Sequence, residues 1–472
     1  MTLLLAGLII CSLSACKNSS SDQDTTPNNG YSSTGEQDHQ NTQVSDESNS
    51  ISGLTSLIHR TGLFERYCST DDGFYYLTEK DSELADGSYA PHLMYMDYAT
   101  CQEVYLCSDS SCQHNTEDCT SVLAGASLDG RIFTWDGSLY FLDRAPDTSG
   151  STIINILGDS KTTNVQAEQA KLYRMKLDGS ERERIYSFES DAIVEDVALG
   201  GRDGLYFVTK KLGASESGSG TYTTTSDRQL ICLNPETGKA KSVCSLDFAD
   251  GLNWEIIGSA GEKVLLKAYQ YPDGMTEEEA AALDENSYLD LLKNSQVVYA
   301  ALELSTGEKT QVYAQAAGGN SSAEVVLNGC LYASNEASQD IVKIDLATGK
   351  KSTLCSLENN YLYGTLGNYL CCTSHDLTAD YGYYLVNAET GEITHCSLTN
   401  QALGWRLDLM AMTKDRALVV YDYEYTALGD DSYDITRYQY GLISMDDLLN
   451  SVPDYTPCLL YTSPSPRDRT RS

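Results

Sequence analysis

The stretch IVKIDLATGKKSTLCSL, residues 341–357, decides the fold. Val342, Ile344 and Leu346 alternate with polar residues, and this period of two is typical of a β-strand with one buried face. Gly349 then interrupts the alternation, and glycine readily adopts the positive φ that a tight hairpin turn requires. The segment therefore predicts a β-hairpin.

This hairpin recurs along the chain, and a second type of hairpin precedes it, as in DGSLYFLD (136–143) and DGLYFVTK (203–210). Together the two types form seven four-stranded units between residues 68 and 450, which predicts an all-β fold with a single seven-bladed β-propeller. Six or eight blades remain an alternative, because the first and last units diverge. The clearest further copies are KLYRMKLDGSERERIYSF (171–188), QLICLNPETGKAKSVCSL (229–246), VYAALELSTGEKTQVYA (298–314) and YYLVNAETGEITHCSL (383–398).

The last unit lacks a clear fourth strand. Since an open array of blades would leave strand edges exposed, we expect residues near 54–68 to supply that strand and close the ring from the N-terminal side.

Long insertions are expected on one face of the propeller. With strands A to D in chain order, the A–B and C–D turns lie on one face (the plain face), and the B–C connections and D–A loops lie on the other (the elaborated face). Thr276 and Glu279 form a capping-box pattern, so the fourth insertion should contain a short helix. Long loops on a rigid scaffold commonly carry function. The insertions are 79–91, 144–170, 211–228, 269–296 and 423–436.

The first residues of the chain form an apolar run that is too short to span a membrane. This run ends in Leu-Ser-Ala-Cys, with the cysteine at position 16. This pattern resembles the lipobox of bacterial lipoproteins, which implies a signal peptide over residues 1–15 and lipidation of Cys16. An ordinary secretion signal is the alternative. The remainder of 16–50 is polar and almost free of aliphatic residues, which predicts a disordered tether. The propeller is expected over 51–457.

The C-terminal segment 458–472 reads CLLYTSPSPRDRTRS, which resembles the in-frame translation of a sequencing-library adapter. We therefore expect this segment to be non-native and assign it no part in the fold.

The DLATGK-type turns resemble the blades of pyrroloquinoline-quinone propellers. The chain has only three Trp and lacks the Trp that closes each docking repeat in quinoprotein dehydrogenases, so quinone binding is not supported. A closer resemblance, over nearly the whole chain, is to β-propeller lipoproteins of Gram-positive anaerobic bacteria. It implies the architecture and a lipid-anchored location on the extracytoplasmic face of the cell membrane, without implying an activity.

Acidic residues dominate the composition: 68 Asp and Glu against 32 Lys and Arg give a formal net charge of −36. Phosphate backbones need basic surface, so nucleic acid is not expected as a partner. Contact with anionic lipid headgroups is also disfavoured, so membrane attachment must come from the lipid anchor. Solubility through self-repulsion accounts for the acidity, and capture of a cation is the more specific alternative.

Four candidate metal ligands lie within 13 residues of the first D–A loop: Cys107, Cys112, His114 and Cys119. Three thiolates and one imidazole are a ligand set for tetrahedral zinc, which would be structural here. The related lipoproteins carry a similar Cys and His pattern at this place. The alternative is a disulfide between two of the cysteines, with His114 a polar loop residue.

No short catalytic motif accompanies this cluster. His92 and the His375-Asp376 pair fall in or beside B–C connections on the elaborated face, and we expect solvated loop residues there. The sequence thus predicts a monomeric, non-enzymatic scaffold that binds a protein, peptide or glycan through the elaborated face. The alternative is an extracytoplasmic glycan hydrolase or lyase whose acidic residues meet near the propeller axis.

Overall fold

The computed structural model describes most of the chain between residues 53 and 460. The predicted signal peptide, Cys16 and the tether lie outside the described residues. Within the described part, no helix is long and apolar enough to cross a membrane. The described ranges are 53–58, 66–78, 80–109, 111–126, 130–144, 169–217, 221–317, 323–334, 339–358, 360–374, 382–413, 415–429 and 432–460.

Seven antiparallel sheets form the seven blades, which confirms the predicted propeller and its blade count. In each blade, strands A to D follow in chain order from the axis outward, and inner strands of neighbouring blades contact one another. Blades 1 to 3 are β2–β3–β6–β7 (Tyr67–Ser69, Gly73–Leu77, Leu93–Asp97, Gln102–Tyr105), β8–β11 (Arg131–Trp135, Ser138–Asp143, Lys171–Met175, Glu183–Ser187) and β12–β15 (Ala192–Gly201, Gly204–Ser217, Thr221–Asn234, Lys239–Ser245).

Blades 4 to 7 continue the same order. They are β16–β19 (Glu255–Ala260, Lys263–Gln270, Gln296–Glu303, Glu308–Ala316), β20–β23 (Glu324–Leu327, Cys330–Ser334, Asp340–Asp345, Lys351–Ser356), β24–β27 (Asn360–Leu366, Tyr369–Ser374, Tyr383–Asn387, Ile393–Cys396) and β28–β31 (Asp408–Met412, Arg416–Gly429, Ser432–Ser444, Tyr455–Pro457). Three short strands lie outside this pattern: β1 (Thr55–Ser56), the β4–β5 hairpin (Ser82–Glu83, Tyr89–Ala90) and β32 (Leu459–Leu460).

Each blade buries both faces of its sheet. In β13, Leu205 and Phe207 pack against blade 2, whereas Tyr206 and Val208 pack against blade 4. Successive side chains of a strand point to opposite faces, so a strand between two neighbours is apolar at every position. This explains why the B strands read as continuous apolar runs.

The hydrophobic core is divided among the seams between blades. Seven buried apolar clusters each combine residues from two adjacent blades, one cluster per seam. The closing seam packs Phe74 and Met96 of blade 1 against Leu418 and Leu442 of blade 7. The ring is therefore closed by the same apolar packing that joins its other blades.

The prediction that residues near 54–68 supply the fourth strand of the last blade was wrong. Residues 55–56 form β1, which pairs antiparallel with the inner strand β12 of blade 3. Leu54 enters the apolar seam between blades 3 and 4, and a Cβ added to Gly201 would lie 2.8 Å from its Cδ2. A side chain at Gly201 would displace Leu54, so this glycine provides room for the inserted strand.

Blade 7 completes itself from its own C-terminal side. After β30, Ser444 caps the short helix α3 (Met445–Leu449) by accepting a hydrogen bond from Asp447 N–H at 3.0 Å. The chain then returns as β31, which pairs with β30. The helix between β30 and β31 breaks the spacing that the other C–D hairpins share. The repeat pattern therefore did not predict β31.

The B–C insertions occur where the repeats predict them. Blades 3 and 7 extend β13–β14 and β29–β30 into long hairpins, and the insertion of blade 4 holds the helices α1 (Glu277–Ala281) and α2 (Glu285–Lys293). Thr276 N–H donates to the Glu279 carboxylate at 2.9 Å, and Glu279 N–H donates to Thr276 Oγ1 at 3.3 Å. This reciprocal pair confirms the capping box.

The described start of the segment predicted to be non-native contacts the ring. Cys458 is buried in the closing seam, and β32 pairs with β7 of blade 1. The origin of residues 458–472 stays a prediction that resequencing of the source locus can test.

Replacing Leu205 by Ala should lower the free energy of unfolding by about 2–5 kcal/mol, because it removes burial and leaves a cavity between blades 2 and 3. Leu177→Ala is the matched control: Leu177 is 40% exposed, so its loss should cost about 0.5 kcal/mol or less. Urea denaturation followed by fluorescence measures both. Equal losses would contradict a core located in the seams.

Candidate metal centre and binding face

The D–A loop that follows β7 brings the four predicted metal ligands together. Cys107, Cys112, His114 and Cys119 each offer one ligand atom, and these four atoms lie within 4.8 Å of one another. Tetrahedral zinc with bonds of about 2.0–2.3 Å places its ligand atoms roughly 3.3–3.8 Å apart. The loop therefore needs only a small contraction to hold the ion.

The loop has a small apolar core of its own. Cys107 and Cys119 are buried beside Leu84 and Ala90, which belong to the β4–β5 hairpin in the B–C insertion of blade 1. The backbone N–H of Ala85 also donates to the carbonyl of Asn115 at 2.7 Å. The cluster thus joins two neighbouring elements of the elaborated face.

Two aromatic residues position His114. Its ring stacks on Tyr105 at 4.4 Å between centroids, and its Nδ1 lies 3.4 Å from Cys119 Sγ. Nε2 of His92 lies 2.7 Å from the carbonyl oxygen of His114, and the His92 ring packs edge-on against Tyr105. His114 itself has a φ of 57°, which few non-glycine residues adopt, so the fold holds its backbone in place.

The protonation states differ among the ligands. Burial, followed by the nearby His92, lowers the pKa of His114, which favours the neutral imidazole that a metal needs. Burial disfavours the Cys107 thiolate, yet hydrogen bonds led by the Asp109 backbone outweigh it and lower the pKa of that thiol. Burial raises the pKa of Cys119 to about 12. The charge of a bound cation would favour its ionisation.

This donor set fits zinc. All three cysteines are free thiols in the structure, and all four side chains converge, whereas the disulfide alternative would involve only two sulfurs. Four protein ligands would fill a tetrahedral shell and leave no position for a substrate, as in structural zinc sites. The cluster also follows the outermost strand of blade 1, away from the inner strands that line the axis.

The insertions of the elaborated face carry exposed apolar side chains. Leu428 and Tyr425, near the tip of the β29–β30 hairpin, are 67% and 38% exposed. Tyr89 and Leu283 are exposed on the insertions of blades 1 and 4. Large exposed apolar groups on extended loops are typical of recognition surfaces.

An aromatic series connects this hairpin tip to the body of blade 7. Ring centroids of consecutive members lie 5.1 to 5.9 Å apart. The exposed tip is therefore supported by rigid side chains rather than by loop backbone alone. The series is Tyr425, Tyr433, Trp405, Tyr423 and Tyr438.

Buried cations at several seams pair with carboxylates. Arg131 Nη2 lies 2.8 Å from Asp196 Oδ2 between blades 2 and 3, and Lys267 Nζ lies 3.0 Å from Glu324 Oε2 between blades 4 and 5. Three of these acidic groups belong to the inner strands β12 and β20, so their charge is already compensated. A further pair is Arg228–Glu195 at 2.6 Å, and the partly exposed Arg437 lies 3.3 Å from the buried Glu103.

The sequence did not identify every residue of these sites. The expectation that His92 is a solvated loop residue was wrong: it is 2% exposed and supports the candidate metal loop. The aromatic series and the seam ion pairs were also missed, because they join residues far apart in the chain. His375 and Asp376 lie outside the described residues.

Fold and site together define a seven-bladed β-propeller with a candidate structural metal centre on its elaborated face. No protein-family model matches the chain, and no curated protein matches it. Similar solved structures include an oligogalacturonate lyase from Vibrio parahaemolyticus, with a TM-score of 0.42 and 10% identity, covering 80% of this chain and 90% of that one. An oligogalacturonate lyase in complex with manganese has a TM-score of 0.38 and 14% identity over 74% and 80% of the two chains.

TolB from Acinetobacter baumannii is also similar, with a TM-score of 0.31 and 14% identity over 83% of this chain and 77% of that chain. These likenesses concern overall architecture alone.

Zinc analysis of the protein purified without chelator should give about one ion per chain. His114→Ala and Cys112→Ser should each lose most of that zinc, because each removes one of four ligands. Cys244→Ser is the matched control, since Cys244 is a partly buried free thiol outside the cluster. A metal-free wild type with two thiols missing from a free-thiol count would instead establish the disulfide.

His92→Phe should weaken zinc binding about 10- to 100-fold, because Phe keeps the ring but loses the contact with the His114 carbonyl. Competition with a chromogenic chelator measures the affinity. An unchanged affinity would show that His92 only fills space.

Proposed function

We propose that this protein is a lipid-anchored, extracytoplasmic scaffold that binds a protein, peptide or glycan through the elaborated face. The observation that carries the proposal is the β29–β30 hairpin, whose tip exposes Tyr425 and Leu428 while Trp405 packs against Tyr433 beside them. Exposed aromatic and apolar groups on a supported loop are suited to contact with a ligand.

The path of the chain is consistent with binding through the elaborated face. Thr55 pairs with Gly200 beside the A–B turn of blade 3, and Leu54 N–H donates to the carbonyl of Gly261 in the A–B turn of blade 4 at 2.7 Å. The chain therefore enters the propeller at the plain face. An anchor on Cys16 would therefore be joined to the plain face through the predicted tether, and no tether would cross the elaborated face where the chain enters.

The candidate metal centre has a structural part in this proposal. Zinc would hold the loop of Cys107 to Cys119 against the β4–β5 hairpin, where the apolar core is small. Metal binding stabilises segments that cannot bury enough apolar surface to order themselves. Tyr89, exposed on that hairpin, would then be presented in a fixed position.

The alternative function is a glycan hydrolase or lyase with acidic residues near the axis. Such chemistry needs two carboxylates at a defined separation, with one free to act as a base or nucleophile. Glu195, Asp196 and Glu324 on the inner strands are instead bound to buried cations. Among the described residues, the pairing of these three carboxylates favours binding over catalysis, and Glu255 and Asp408 are the inner-strand acids without an ion pair.

Replacing both Tyr425 and Leu428 by Ser should reduce capture of the envelope ligand at least about tenfold, because central apolar and aromatic contacts dominate binding energy. Affinity capture from envelope extracts and glycan arrays, followed by titration of the captured ligand, provides the measurement.

The control variant replaces Leu177 and Ile393 by Ser. Both are exposed apolar residues at or beside C–D turns, on the plain face. Its capture should equal that of the wild type. Equal loss in both variants would contradict a role for the elaborated face, and catalytic turnover without a stable complex would favour the enzyme.

A further inference from the structure

The seam between blades 6 and 7 differs from the seams that contain ion pairs. Arg406, in the loop that precedes the inner strand β28, reaches towards blade 6. Its guanidinium carbon lies 5.1 Å from the ring centroid of Tyr383 and 5.6 Å from that of Tyr363. One guanidinium nitrogen donates to Thr373 Oγ1. Two aromatic faces and one hydroxyl thus surround this half-buried cation.

No described carboxylate forms an ion pair with Arg406. The nearest acidic group in sequence, Asp408, instead accepts a hydrogen bond from the Tyr423 hydroxyl at 2.5 Å. Burial raises the pKa of Asp408, while the hydrogen bond from Tyr423 and the charge of Arg406 act in the opposite direction. By contrast, Arg131, Arg228 and Lys267 each contact a carboxylate within 3.0 Å. Among the described residues, Arg406 therefore lacks the carboxylate in direct contact that these other cations have.

The guanidinium also retains unused donors. Arginine has five N–H groups in a planar fork, and within the described structure only one contact, to Thr373, engages them. The guanidinium nitrogens without a hydrogen bond are not fully buried, so they keep some contact with solvent. A planar fork with parallel donors matches the two oxygens of a carboxylate.

We infer that Arg406, held between Tyr363 and Tyr383, is a binding site for a carboxylate group of a ligand at the elaborated face. The charge of the protein favours a singly charged carboxylate over a phosphate dianion, since repulsion grows with ligand charge. A small organic acid and an acidic sugar share this chemistry. The inference rests on the proposed function, because it assigns a ligand class to the same face.

The test is calorimetric titration of the full-length protein with D-glucuronate, acetate and D-glucose at about 0.15 M ionic strength, where the Debye length is about 8 Å and long-range repulsion is screened. Both acids should bind and glucose should not. Tighter binding of glucuronate than of acetate would assign an acidic sugar, and equal binding would assign a simple acid.

Arg406→Gln should weaken binding of the acids at least about tenfold, because it removes the charged fork. Arg406→Lys keeps the charge without the fork and should retain intermediate affinity; it also carries the test if the Gln variant does not fold. Arg174→Gln, at a partly exposed arginine paired with Glu183, is the matched control and should bind as the wild type does.

Absence of acid binding in the wild type, unchanged binding in Arg406→Gln, or equal loss in Arg174→Gln would overturn the inference. Envelope-ligand capture by a wild type that binds neither acid would reject this site and leave the proposed function standing. Acid binding without capture of any envelope ligand would reject the proposed function instead.

Discussion

Apolar packing between neighbouring blades is the constraint on which the rest of the structure depends. Each sheet has two apolar faces, and neither can be buried until another blade covers it. A linear row of blades would leave two faces exposed, whereas the contact of Phe74 with the blade 7 cluster closes the ring and buries both. The scaffold is therefore rigid without any help from the insertions, which are free to differ between blades.

Features formed by residues close together in the chain could be predicted from the sequence, whereas contacts between distant residues could not. The blades were predictable because strand alternation and a glycine turn, as at Gly349, lie within one hairpin. The convergence of the four candidate metal ligands was predictable for the same reason, since they occupy one loop. The two-residue strand β1 was misplaced because its partner lies more than 140 residues away, and so short a strand has no periodicity of its own.

The roles of His92 and Arg406 could not be predicted for a related reason. His92 acquires its role only when the B–C insertion of blade 1 meets the following loop, and Arg406 only when blade 7 packs on blade 6. A histidine or arginine in isolation carries no periodic or spacing signal. Their surroundings, rather than their residue types, distinguish them from ordinary loop residues.

Electrostatics and the path of the chain give the two faces different properties. A net charge of −36 disfavours contact with other acidic surfaces, including anionic headgroups. At the seams, Asp196 and Glu324 compensate buried cations, so those charges contribute little to ligand attraction. Arg406 is surrounded by rings instead, and π faces stabilise a cation without cancelling its charge. The chain enters at the plain face, so Arg406 and the entering strand lie at opposite ends of the propeller.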